Sequence, residues 1–217
     1  MSENLFETKY DLTKKSKIRE FYNSNKILIY LITFLLIISI GCFYYYQMSK
    51  EKKKILLSEK YVQAKVYLEN GKNSEAVEVL KNLIHSNDPT YSTLSFFLVL
   101  NENLINNKNE VSKLFDHLLE NNKFDKEIRN LLLYKKALYK SDYLEESKWL
   151  EETKTLLNDG ESIWKANALL LMGDFYFAKK EYIKAKDFYV QILIMKNLHQ
   201  DLYEQAKSKL LLIANDH

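Results

Sequence analysis

The stretch LLLMGDFYFAKKEYIKAKDFYVQI, residues 169–192, decides how the chain folds. Leu169, Met172, Gly173 and Tyr176 recur at three- and four-residue intervals, which is the spacing of one helix face. Ala185, Tyr189 and Ile192 repeat that spacing further on, with Tyr182 in the turn between the two runs. The pattern predicts two antiparallel helices. Gly173 lets the partner helix approach closely, Tyr176 fills space near the turn, and Ala185 keeps the second helix close where the two cross.

The rest of the chain reads the same way. Its 217 residues include only four Gly and one Pro. Folds built from tight β-turns use far more of both, so the expected class is all-α. Short polar breaks at Gly71-Lys72-Asn73, Ser86-Asn87-Asp88, Asn106-Asn107-Lys108, Asn121-Asn122-Lys123, Ser141-Asp142 and Asn158-Asp159-Gly160 divide the region after residue 54 into helices. Gly71 reads as the residue just past a helix end. Asp88-Pro89 reads as an N-cap followed by Pro at the first helical position. Asp142 with Glu145 three residues on reads as a capping box.

Residues 27–46, ILIYLITFLLIISIGCFYYY, carry no charge. At about 1.5 Å per residue they span roughly 30 Å, one hydrocarbon core. Lys26 and Lys50 bound the run, and Tyr44, Tyr45 and Tyr46 sit at one end, where amphipathic rings favour the interface. The alternatives are a buried core helix, a cleaved signal peptide, or a lipid-modified Cys42 after Ser39-Ile40-Gly41. The long charged lead-in and the long apolar run favour an uncleaved span. No Gly or Pro lies between Phe43 and Asn70, so one helix is expected from Lys26 to about Glu69. Lys50, Lys52, Lys53 and Lys54 would then sit at headgroup level and attract anionic membrane lipid. Positive residues within 20 positions tie on the two sides of the span, so charge alone does not orient it.

Composition narrows the function classes. The single cysteine excludes an internal disulfide framework and a cysteine-cluster metal site. Two Arg, Arg19 and Arg129, stand against 30 Lys, which we read as an AT-rich coding bias. A net charge of +3 is too small to mark a nucleic-acid binder. His85, His117, His199 and His217 show no metal-site spacing, so no metal is expected. The adjacent carboxylates Glu145-Glu146 and Glu151-Glu152 point about 100° apart on a helix and read as a solvated face, not an acid/base pair. No phosphate-binding glycine loop or nucleophile elbow occurs. We therefore expect no enzyme, no catalytic residues and no cofactor. Trp149 and Trp164 read as wedges between helices, with a binding role as the alternative. Of Phe96 and Phe97, one ring is expected in the core.

The residues 169–192 resemble the tetratricopeptide repeat, whose frame of about 34 residues takes Leu169, Met172, Gly173, Tyr176, Tyr182, Ala185, Tyr189 and Ile192 in order. An earlier copy runs through Ala64, Tyr67, Gly71, Ala76, Leu80 and Leu83, with Pro89 near the terminal Pro of the repeat. A degenerate copy holds Leu133, Tyr134, Ala137, Tyr143 and Leu150, with Glu146 where Ala is expected. The weakest holds Leu98, Val99, Val111, Phe115 and Leu118. Frame starts differ by 35, 35 and 39 residues. The whole order of parts is a charged tail with Lys14-Lys15-Ser16-Lys17, one span, a helix with Ala64 and Tyr67, and a Trp164-Lys165-Ala166 helix start before the best repeat. It resembles the single-span, tetratricopeptide-like proteins that include the ancillary subunit of the bacterial Sec translocon.

That resemblance implies a cytoplasmic tail (1–26), a transmembrane helix (27–46) and a short right-handed solenoid of degenerate helix pairs (47–217). It places the chain in the bacterial inner membrane with the repeats in the periplasm. It implies partners among the Sec translocon subunits, a membrane-anchored folding factor and unfolded client proteins. The competing reading is a membrane-anchored scaffold of another envelope complex, with the repeats cytoplasmic. The weak second repeat and the Lys cluster at 50–54 depart from the family pattern.

In such arrays the first helix of each pair lines the concave face. The frames put Tyr61, Lys65 and Leu68, then Leu131, Lys135 and Leu138, then Leu170, Asp174 and Phe177 on that face. Lys65, Lys135, Asp174 and Phe177 are the expected contacts for a partner protein. The alternative is that so short an array closes on itself and buries these side chains.

Overall fold

The computed structural model describes residues 17–158, 163–196 and 198–215. The tail motif up to Ser16, the break at 159–162 and His217 lie outside the described residues. Nine helices lie among those described: α1 (Lys17–Glu69), α2 (Asn73–Ile84), α3 (Pro89–Asn101), α4 (Lys108–Asn121), α5 (Lys126–Lys140), α6 (Glu146–Asn158), α7 (Lys165–Ala178), α8 (Tyr182–Leu193) and α9 (Gln200–Asn215). The chain divides into two compact units, Met1–Leu57 and Ser58–His217.

In the first unit the only break in α1 is Asn25, with φ −118° and ψ 16°. Its side-chain amide donates to the Phe21 carbonyl at 3.1 Å, a local bond that competes with the helix ladder. Residues 26–69 then form one helix, as expected of a stretch without Gly or Pro in its polar part. Among the described residues this helix is the one long and apolar enough to cross a membrane. Its most apolar window has a mean hydropathy of 2.5, and none of that window is buried. A core helix would be covered on at least one face, so the buried-core alternative fails. The rings of Tyr44, Tyr45 and Tyr46 are exposed, and the Lys50 ammonium lies 4.5 Å from the Tyr46 ring centroid.

In the second unit consecutive helices pack on one another from α2 to α9, and α5, α7 and α9 also pack as next-but-one neighbours. That is the arrangement of stacked helix pairs. Three turns share one geometry. Gly71 (φ 71°), Asn103 (φ 48°) and Lys180 (φ 62°) are left-handed residues closing α1, α3 and α7. After each, a backbone N–H reaches back five residues: Lys72 to Tyr67, Leu104 to Val99 and Glu181 to Tyr176, at 2.9–3.0 Å. This closure satisfies carbonyls that the helix end would leave bare. Gly71 is thus the helix stop that its residue type predicts, while Asn and Lys do the same work elsewhere.

Counting from these turns aligns the pairs. Ala64, Phe96 and Gly173 hold one position, and Tyr67, Val99 and Tyr176 the position one turn later. On the second helices Ala76, Val111 and Ala185 correspond, as do Leu80, Phe115 and Tyr189, and Leu83, Leu118 and Ile192; all nine are buried. The weakest frame therefore begins at Phe96, not at Leu98. The third pair also needs correction. Its buried residues Ala137, Lys140, Trp149, Thr153 and Leu156 fall 36 residues before Gly173, Tyr176, Ala185, Tyr189 and Ile192, not 39. Trp149, not Glu146, holds the Ala185 position.

The shift has a physical cause. In the third pair the large and small residues change places. Trp149 is fully buried on α6, its indole N–H donates to the Ala137 carbonyl at 2.7 Å, and its ring stacks on Phe175 with centroids 4.3 Å apart. Where the last pair has Tyr176, this pair has Lys140, whose ammonium is 2.7 Å from Glu152. Lys136 joins the same carboxylate at 3.4 Å and Asp116 at 2.7 Å. Burial alone would lower the Lys136 pKa, but the two carboxylates outweigh it and hold the ammonium above the usual lysine range.

The two caps read from sequence divide. Asp88 accepts from the N–H groups of Thr90 and Tyr91 at 3.1 and 3.0 Å, with Pro89 at the first helical position, as expected. Asp142 does not cap α6. That helix starts at Glu146, and the Glu145 carbonyl accepts its first bond, from Trp149. A further turn at Ser141–Leu144, closed on the Lys140 carbonyl, sets Asp142 too far back to reach the helix end.

Candidate partner-binding groove

The expected groove face lies on the first helix of each pair, and the register above fixes which residues correspond. Lys65, Phe97, Leu138 and Asp174 each follow the close-packed position by one residue. Lys135 lies one helical turn before Leu138, so it is a neighbour of that row and not its member. Lys65 and Lys135 are exposed and make no hydrogen bond or ion pair among the described residues. Tyr61 is half-buried with its ring 6.4 Å from Tyr91, and Leu138 is exposed.

Asp174 and Phe177 are engaged within the chain. The Tyr189 hydroxyl donates to Asp174 at 2.7 Å, and the Lys209 ammonium of α9 pairs with the same carboxylate oxygen at 2.9 Å. Burial pushes the Tyr189 phenol far above its ordinary pKa, and the Asp174 bond and charge add to that, so the phenol remains a donor. Lys209 also lies 5.4 Å from the Phe177 ring centroid, and that ring meets Tyr182 at 5.5 Å. A carboxylate and an aromatic face together form an ammonium cradle. The structure does not bring Lys65 or Lys135 to Asp174 and Phe177.

Sequence reasoning missed α9 and with it Lys209. Its signal is the run Leu202, Ala206, Lys209, Leu210 and Ile213, all buried or half-buried at helical spacing, in a segment otherwise polar enough to pass for surface. It also missed the cleft beside Asp174. This cleft, of about 360 Å³, is lined by the turn residues Ser141 and Asp142 and by Leu171, Asp174, Phe175, Ala178 and Lys179 of the α7 segment. The last five share one helix face, with an apolar floor between two carboxylates. Trp149 and Trp164 are both used in packing, the latter stacked on Tyr134 at 5.7 Å. Phe96 is the core ring of its pair of phenylalanines, 4.4 Å from Phe115.

Stacked helix pairs in a chain that also carries a membrane-length helix define a helical-repeat protein, a class that acts through its surfaces. The ancillary SecYEG translocon subunit of Buchnera aphidicola subsp. Schizaphis graminum (strain Sg) is 30% identical to the chain over 158 residues, 72% of this chain and 78% of that protein. The chain belongs to the family of that subunit. No family model matches the chain, and no solved structure matches it.

Proposed function

We propose that the chain is a membrane-anchored protein-interaction factor of the Sec translocon that assists the export or folding of envelope proteins. The observation that carries this reading is the likeness to an ancillary translocon subunit across most of both chains. The apolar helix of residues 27–46 is the anchor in a bacterial inner membrane, with the N-terminus cytoplasmic and the repeats periplasmic. Its partners are translocon subunits, a membrane-anchored folding factor and unfolded clients. The lysines at 50–54 meet anionic lipid headgroups at the end of the span. The chain works by binding and not by catalysis. A second reading, a scaffold of another envelope complex with cytoplasmic repeats, is favoured by that lysine cluster, since positive charge collects on the cytoplasmic side.

Lys65, Lys135, Asp174 and Phe177 are the proposed partner contacts. The double variant Phe177→Ala, Lys135→Glu tests them in full-length protein purified from membranes. Reduced recovery of translocon subunits with the fold intact is the expected result, the melting temperature falling only modestly as the Phe177 ring leaves Tyr182. Unchanged recovery with an intact fold would remove these residues from the interface, and loss of fold and binding together would mark them as core.

A further inference from the structure

The last two helix pairs hold lysine ammoniums in a recurring way. Lys179 lies 4.6 Å from the Phe175 ring centroid and pairs with Glu146. Lys184 lies 4.9 Å from the Tyr176 ring and pairs with Glu181 at 2.6 Å. Lys209 lies over Phe177 and pairs with Asp174. Each is a carboxylate beside an aromatic face, filled by a cation of the chain itself.

One carboxylate in the same neighbourhood has no such cation. Asp142 is exposed on the rim of the 360 Å³ cleft and makes no hydrogen bond or ion pair among the described residues. It lies in the turn before α6, whose first backbone bond goes to the Glu145 carbonyl. The cleft floor below it, Leu171, Phe175 and Ala178, is apolar. A lysine or arginine side chain needs that combination: apolar surface for its stem and an acceptor for its head. Lys179 is already paired with Glu146 and Lys209 with Asp174, so the unbalanced charge at the cleft is the negative charge of Asp142.

We propose that this cleft is a subsite for a basic side chain of an extended peptide, with Asp142 as its charge partner and Leu171, Phe175 and Ala178 under its stem. The proposal deepens the protein-interaction reading and rests on it, by naming the chemistry of one bound segment. Its recognition is electrostatic and exposed, so it is weak and sensitive to salt.

The test uses the full-length chain in a neutral detergent and a short fluorescent peptide of Ser, Leu and Lys, with a control carrying Glu in place of each Lys. Fluorescence anisotropy is expected to show the Lys peptide binding about tenfold tighter than the Glu peptide at low salt. Asp142→Asn should weaken the Lys peptide about fivefold and leave the melting temperature unchanged, since Asp142 supports no other group. A photo-crosslinking residue at Ala178, which is exposed, should capture the Lys peptide. Equal affinity for the two peptides, an unaltered affinity in Asp142→Asn, or binding without capture at Ala178 would each overturn the proposal. No translocon is present in this assay, so its failure leaves the translocon reading standing, and loss of that reading leaves the peptide result intact.

Discussion

Gly173 and Tyr189 show how one residue choice fixes another. A Cβ added at Gly173 would stand 2.7 Å from Cδ1 of Tyr189 and closer still to the next ring carbon. The ring cannot swing aside, because it is fully buried and its hydroxyl is tied to Asp174. In the first pair the same two positions hold Ala64 and Leu80. Compared with the last pair, the first thus has a larger residue on the first helix and a smaller one on the second, whereas the second pair packs two rings there, Phe96 and Phe115, edge to face. Gly173→Ala is therefore expected to destabilise the protein by about 1–3 kcal/mol, the usual range for overpacking. Tyr189→Leu destabilises too, by leaving space and removing a bond. The double variant, which recreates the Ala64 and Leu80 combination, should cost less than the sum of the single changes by about 0.5 kcal/mol or more. Urea unfolding of the three variants measures this, and strictly additive losses would refute the packing account. The glycine and tyrosine were legible in the sequence because both are the residue types that the repeat frame demands.

At the scale of elements, the joint between the first two pairs carries a titratable contact that no sequence pattern announced. The rings of His85, at the end of α2, and His117, on α4, meet edge to face at 4.3 Å. The Nε2 of His117 is 3.0 Å from the Asn87 side-chain oxygen, and its Nδ1 is 3.3 Å from the Asn121 amide nitrogen. This fits a neutral ring that donates from Nε2 and accepts at Nδ1. Burial first, and then the charge of His85, hold the His117 pKa below its ordinary value, against a smaller opposing pull from Glu120. A folded pKa below the unfolded one means that the unfolded chain binds more protons as pH falls. The contribution is thus fully present above about pH 6.5 and is lost as pH drops below it. The melting temperature is expected to fall between about pH 7 and pH 5.5, and less so in His117→Gln. The same slope in both proteins would count against the joint. The two histidines stand 32 residues apart, beyond any local spacing rule. The α6 start and the third-pair register were hidden for a related reason. Trp149 and Lys140 break the residue types of the frame while keeping its burial pattern.

For the whole molecule, the sequence showed an all-helical chain, one membrane-length helix and helix pairs, because each leaves a periodic apolar signature. The expected groove residues divide. Lys65 and Lys135 are exposed, whereas Asp174 and Phe177 meet α9, whose few apolar residues lie among polar ones. Nothing local could announce that Lys209 would reach across to α7. Membership in the translocon-subunit family and a bare apolar helix together support the central proposal, that the chain is held in the membrane beside the Sec translocon. The most direct measurement is photo-crosslinking in intact cells from the exposed Phe34 position on the apolar helix. The account predicts a covalent adduct with a SecYEG subunit that is absent without illumination. Adducts with other membrane proteins and none with SecYEG subunits, from this position and from neighbouring exposed positions on the helix, would contradict it.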